Sequence, residues 1–207
     1  MKTMRTVTRV LTAAALIASA TSCGNVVRSS RTPALLVVNS LAATRGQAQG
    51  GTAAASLASD VLTLVTTGGV CSTTNPCPTI FTDSGTITLS LAPKDIDVGL
   101  TSNNQVTVNR IHVSFRRTDG RNTEGVDVPF SFDTASTATV AVGASTAVSF
   151  TLVRIQAKQE SPLVQLVTND QFISTIADIT VYGNDIVGNA VSATGSIGVT
   201  FGNWGDF

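Results

Sequence analysis

Few residues in this 207-residue chain carry side chains able to do chemistry, and their spacing narrows what that chemistry could be. Three are cysteines, Cys23, Cys71 and Cys77, and one is a histidine, His112. Five residues separate Cys71 from Cys77, so the pair is not a redox Cys-x-x-Cys. Zinc would need two further ligands to complete a four-coordinate site, and a single histidine is too few. A hydrolytic triad requires a carboxylate-oriented histidine beside its nucleophile. His112 stands in the run QVTVNRIHVSFRR, with Arg110 and Arg116 on its own strand face and no carboxylate among its sequence neighbours. It reads as a solvated strand residue, and no catalytic residue is assigned. Calcium wants six or more oxygens gathered from loops. Asp95-Ile96-Asp97 and Asn184-Asp185 with Asn189 are the best groupings, neither has the spacing of the twelve-residue calcium loop, and turn chemistry accounts for them without a metal. No metal or other cofactor is expected.

Two further features concern binding rather than catalysis. Arg116, Arg117 and Arg121, interleaved with Asp119, Glu124 and Asp127, form the most charged stretch of the chain. Such a stretch could dock an anionic partner such as an envelope polysaccharide. Its plainer reading is an exposed hairpin whose opposite charges offset one another and keep an edge strand from pairing with neighbours. Trp204, the only tryptophan, sits with Phe207 in a Gly-rich tail and either docks a partner or plugs the open end of its own domain, the plug being preferred. Arg116, Arg117, Arg121 and Trp204 are together the candidate interaction surface.

The elements that must position these residues are strands. Charged residues make up only 13% of the chain, and short runs rich in Thr, Ser, Val and Ala alternate with Gly, Asn, Asp and Pro. β-Branched side chains fit a pleated surface and the punctuating residues make turns, so the expected fold is all-β, a sandwich of about seven to nine antiparallel strands. The near-continuous apolar run at 33–41 predicts a strand buried on both faces or lying at a sheet junction. Residues 42–59 have no period and predict a long flexible loop, with a short helix at 53–58 as the alternative. Further strands are predicted at 60–66, 85–91, 105–117, 126–132, 137–142, 147–157, 172–182 and 190–201. Along 85–91, Ile87, Leu89 and Leu91 alternate with Thr and Ser, which marks a half-buried strand.

Two strands break this alternation. In 105–117, Val106 and Val108 share one parity while Ile111, Val113 and Phe115 take the other. A regular strand cannot bury both sets in one core, so a β-bulge or a change of packing partner is predicted near Asn109-Arg110. The same argument applies to 147–157, where Val148, Phe150 and Leu152 give way to Val153 and Ile155. Asp119-Gly120 suits a two-residue hairpin turn. Ser161-Pro162 predicts one helical turn over 161–167, with Ser161 as its cap.

The N-terminus gives the address. The first nine residues carry Lys2, Arg5 and Arg9 without an acid, and 10–22 carry no charge. That uncharged run is too short and mild for a membrane span, for which a helix needs about 20 apolar residues, and it has the layout of an export signal. The signal ends in Ala20-Thr21-Ser22-Cys23, which resembles the lipobox of bacterial lipoproteins, with Ala20 where members usually carry Leu. The resemblance implies cleavage before Cys23, diacylglycerol on its sulfur, a tether over 23–32 and one domain over 33–207. Gly24 after the cysteine implies the outer membrane in the enterobacterial sorting pattern. The alternative is ordinary cleavage after Ala18-Ser19-Ala20, which leaves Cys23 a free thiol. With Cys23 lipidated, Cys71 and Cys77 remain as a pair that an oxidising compartment would close into a disulfide. Removal of the three leader cations leaves ten cations against thirteen acids, a balance that argues against nucleic acid as partner.

The closing block TVYGNDIVGNAVSATGSIGVTFGNW resembles the last strand pair of immunoglobulin-like modules on bacterial envelope proteins. It implies an immunoglobulin-like sandwich and carries no functional residue over. The expected function is that of a non-enzymatic envelope lipoprotein, held at the membrane by its lipid and acting as a structural or protein-interaction module, with an envelope protein or polysaccharide as partner. The alternative is a carbohydrate- or small-ligand-binding accessory lipoprotein, calcium-dependent or not, using the 42–59 or 95–104 loop.

Overall fold

The computed structural model describes residues 31–47 and 50–204; the leader, Cys23, the tether as far as residue 30, and Phe207 lie outside the described residues. The described residues form eleven strands, numbered in chain order. One sheet holds β2 (Ala53–Ala54), β1 (Ala34–Thr44), β6 (Asp83–Pro93) and β9 (Thr146–Val153), side by side in that order. The other holds β3 (Ser56–Asp60), β11 (Ala190–Gly202), β10 (Phe172–Asp185), β7 (Val106–Arg116) and β8 (Phe132–Val140). A two-stranded ribbon of β4 (Thr63–Val65) and β5 (Cys77–Thr79) stands apart from both. The protein is thus an all-β sandwich, as its composition predicts. The long strands divide between the layers as β1, β6, β9 against β7, β10, β11, the Greek-key arrangement of the immunoglobulin-like fold.

Both layers contribute to one core. Leu36, Ile87, Leu89, Val148, Phe150 and Leu152 from the first sheet meet Ile111, Val113, Phe115, Ile179, Val199 and Phe201 from the second. Phe115 and Phe201 meet edge to face with ring centroids 5.7 Å apart, the arrangement that aromatic quadrupoles favour. The bulge predicted in the longest strand is present. The β7–β8 register shifts between Val108 and Arg110, which leaves Asn109 unpaired, and the β7–β10 register shifts opposite the same point. The extra residue restores the inward direction, so Val106, Val108, Ile111 and Val113 are all fully buried on one face. A second shift lies where β9 meets the start of β6, and there Leu152 and the following Val153 are both buried.

Several expectations need correction. β1 is not buried on both faces: Leu35 and Val37 point outward from the sheet and are 47% and 36% exposed. No described element covers that outer face, so the apolar run sits on a strand whose other side is exposed among the described residues. The 42–59 segment is not one long loop, because β1 runs on to Thr44 and β2 and β3 lie within it. Its small side chains hide this from sequence, since only Leu57 supplies a large apolar anchor. Not all pairing is antiparallel either: β3 lies parallel to β11, with Ser56 beside Gly198 and Asp60 beside Gly202. The chain leaves the first sheet at the end of β1 and joins the second as β3, splitting its opening strand over both layers. Gly46 makes this crossing possible, because a Cβ there would collide with the Thr82 carbonyl and Phe81.

The strand predicted at 60–66 is really the end of β3 followed by β4. Asp119-Gly120 does not form a two-residue hairpin; β7 ends at Arg116 and β8 begins at Phe132, with residues 117–131 as the connection. The strand predicted over 147–157 stops at Val153, and Ile155–Gln159 form a short helix, α1. The helical turn near Pro162 is present as a 3-10 helix over Leu163–Thr168, but Pro162 takes the cap position and Ser161 makes no capping hydrogen bond.

Candidate interaction surfaces

The outer face of the five-stranded sheet gathers Arg110, His112 and Arg116 of the polar residues singled out in the sequence. Pairing sets Arg110 opposite Tyr182, His112 opposite Thr180 and Ser114 opposite Asp178. The Arg110 guanidinium stacks 3.9 Å from the Tyr182 ring centroid. Asp133, on β8, lies 3.1 Å from both Arg110 Nη1 and His112 Nδ1. The carboxylate missing from the histidine's own strand therefore comes from the neighbouring one, which no local sequence signal announces. Arg116 Nε donates to Asp178 at 2.7 Å, and Ser196 Oγ donates to the same carboxylate at 2.6 Å. A His–Asp pair is the core of a general base. Here it lies on an open sheet face, and the hydroxyl of Thr180 across from it is engaged by Thr194 at 3.0 Å.

Arg117 and Arg121 converge on Asp119 in the 117–131 connection, their Nη2 atoms 2.6 and 2.9 Å from its Oδ2. The hydrogen bond from Arg117 is the main reason the Asp119 carboxyl is held well below the usual carboxylate range, with Arg121 adding to it. Both arginines are thus tied to their own loop. Val126 and Phe130 of the same connection are 64% and 45% exposed. Trp204 is placed elsewhere: its Nε1 donates to the Ser59 carbonyl at 3.0 Å, and its ring covers Gly202. Its place is therefore at the edge of the second sheet formed by β3 and β11. Arg117 and Arg121 follow β7 at the opposite side of the same sheet, so the four candidate residues share one end of the sandwich without forming one patch.

The same end holds a buried ionic network that sequence reasoning missed. Lys158 of α1 is 1% exposed, and its Nζ lies 2.9 Å from Asp83 Oδ2 and 2.7 Å from the Phe81 carbonyl oxygen. Asp83 also accepts from Ser59 Oγ at 2.6 Å and from the Gly46 amide at 2.8 Å. Beside it, Asp60 pairs with Arg45 and accepts from Thr63 Oγ1 and the Trp204 amide, at 3.2 Å each. Burial pushes the Lys158 ammonium below its ordinary value, against the opposing pull of Asp83. The network ties α1, the start of β6, β3 and the crossing segment to one another. Lys158 sits in the polar run QAKQES, which gives no hint of burial.

Cys71 and Cys77 form a disulfide, with their Cα atoms 5.4 Å apart. It closes the ribbon of β4 and β5 over a sequence separation of six residues. Substituting both cysteines by Ser is expected to cost about 2 kcal/mol on the chain-entropy estimate for so short a loop. Urea denaturation of the variant would check this, and an unchanged midpoint would show that the bridge does not stabilise the domain.

At the other end, the Asx residues considered for calcium make turns. Asp95 Oδ1 accepts the Asp97 amide at 3.0 Å. Asp185 Oδ1 accepts the amides of Val187 at 3.1 Å and Asn189 at 2.8 Å, and Oδ2 accepts Asn189 Nδ2 at 2.8 Å. Burial raises the Asp185 pKa, but the hydrogen bonds from Asn189, Val187 and Thr32 outweigh it and hold the carboxyl below its ordinary value. Among the described residues no three His, Cys, Asp or Glu side chains come together as a metal site. Thr32, the last residue of the expected tether, is 2% exposed.

The strand order and the core define a single immunoglobulin-like β-sandwich. Comparison with protein-family models, with curated proteins and with solved structures finds no match to this chain.

Proposed function

We propose that this protein is a non-enzymatic envelope lipoprotein, anchored through Cys23, whose sandwich acts as a structural or protein-interaction module. The observation that carries the reading is the order of features along the chain: a basic start, an uncharged run, Ala20-Thr21-Ser22-Cys23, and a short segment leading directly into β1. Two or three acyl chains anchor a protein stably where one holds it only marginally. No helix among the described residues is long and apolar enough to cross a membrane, so in this reading the lipid is the attachment. The Cys71–Cys77 bridge agrees with an oxidising compartment. The far end of the domain, with the 117–131 connection and its exposed Val126 and Phe130, is the face offered to an envelope protein or polysaccharide.

Cys23→Ala is the test. The native chain should fractionate with membranes and carry the mass of a diacylglycerol on a mature N-terminus at Cys23. The variant should lose that mass and move to the soluble fraction. A native chain that carries no lipid and begins upstream of Cys23 overturns the anchor. In-cell crosslinking from position 126 should then name the partner.

A further inference from the structure

We propose that the end of the sandwich from which the tether emerges rests in the lipid bilayer interface, with Ile96, Val98, Ile186 and Val187 entering it from two loop tips. The proposal rests on the Cys23 anchor and adds an orientation to it. Three observations support it. The first is exposure: Ile96 is 91% and Val187 76% exposed, and Val98 and Ile186 are 59% and 56% exposed. Turns are built from polar residues, so four large aliphatics on two turns are not explained by turn chemistry. The turns also hold them rigidly outward, through the Asp95 and Asp185 carboxylates and through the Val98 amide, which donates to the Asp95 carbonyl at 3.2 Å.

The second is place. The Lys94 amide donates to the Pro33 carbonyl at 2.9 Å, and Thr32 hydrogen-bonds Asp185. The chain therefore enters the domain between the two tips. Cys23 precedes Thr32 by nine residues, which reach about 30 Å at full extension. The lipid thus keeps this end near the membrane, while the far end lies a further ~40 Å away along the thirteen residues of β11. Tethering turns a weak apolar contact into an intramolecular one, so modest tip affinity suffices.

The third is contrast. The exposed Val126 and Phe130 at the far end share their connection with Arg117, Asp119, Arg121, Glu124 and Asp127. Near the membrane-facing tips the charges along the chain are Arg31, Lys94, Asp95, Asp97 and Asp185, the last with its carboxylate turned into its own loop's hydrogen bonds. The three carboxylates disfavour a strongly anionic surface, which commits the proposal to apolar insertion rather than charge attraction.

The lipidated full chain in phosphatidylcholine vesicles with brominated acyl chains tests this. Ile96→Trp and Val187→Trp should each show emission shifted to the blue and quenched about twofold, as for side chains some 5–10 Å into the headgroup boundary. Val70→Trp, 83% exposed in the ribbon that joins the far ends of β3 and β6, should not be quenched. If the protein sediments with the vesicles but the tip tryptophans are unquenched, or if Val70→Trp is quenched equally, the orientation is wrong and the anchor stands. If the protein neither sediments nor carries the lipid mass, the anchor fails and the orientation falls with it.

Discussion

Deleting Asn109 is expected to abolish cooperative folding, whereas Asn109→Ala should cost less than about 1 kcal/mol, the value of one exposed hydrogen bond. Asn109 is exposed and its Nδ2 donates to Asn184 Oδ1 at 2.7 Å on the outer surface, so its chemistry matters little. Its presence matters because it is the extra residue of β7 against β10, where Arg110 and Val108 face the consecutive Tyr182 and Gly183. Without it β7 returns to strict two-residue alternation. Either Val106 and Val108 or the trio Ile111, Val113 and Phe115 must then face water. Each of these side chains is worth about 1.5–3 kcal/mol when buried. The loss of two or three approaches the whole stability of a domain, about 5–15 kcal/mol. Circular dichroism and urea titration decide the matter, and a deletion variant with a native-like cooperative transition would refute the role given to the bulge.

Lys158→Met and Asp83→Ala should each destabilise the domain by about 3–5 kcal/mol, because each leaves the partner's charge buried and uncompensated. The paired variant Lys158→Met with Asp83→Leu should lose much less than the sum of the two, since no charge is then stranded. Strict additivity in denaturant titrations would show that the two groups do not interact. The pH dependence has a definite sign. Burial lowers the folded-state pKa of Lys158, so below that value both states are protonated and the cost of burying the charge is felt in full. Between that lowered value and 10.5 the unfolded chain binds more protons than the folded one, and stability from this group rises with pH. The difference between the native chain and Lys158→Met should therefore widen as pH rises through this window. A difference that narrows there would overturn the assignment.

What could be seen in the sequence divides by the range of the interaction. Alternation along Ile87, Leu89 and Leu91 reports a face directly, because that face is set by a period of two. The parity switch after Val108 shows a bulge for the same reason. Leu35 and Val37 misled, since an apolar run does not say whether a second layer covers its other side. β3 escaped notice because Ala and Ser hold it by backbone pairing to β11, a partner some 140 residues away in the chain. Asp133 beside His112 and Asp83 beside Lys158 were out of reach on the same grounds. Each pair joins segments that become neighbours only through topology. Asp119-Gly120 carried a true turn preference, and Gly120 does take a positive φ of 83°, but the loop around it is longer than a hairpin needs.

The parallel placement of β3 against β11 has a mechanical consequence. The described chain enters at one end of the sandwich and leaves at the other, beyond Gly202. A pull between the two described ends would, once β1 has come away from β6, drag β3 and β11 past each other along their length, loading the five residue pairs from Ser56–Gly198 to Asp60–Gly202 together. Bonds strained in concert share the force, whereas a zipper opened from its end yields one at a time.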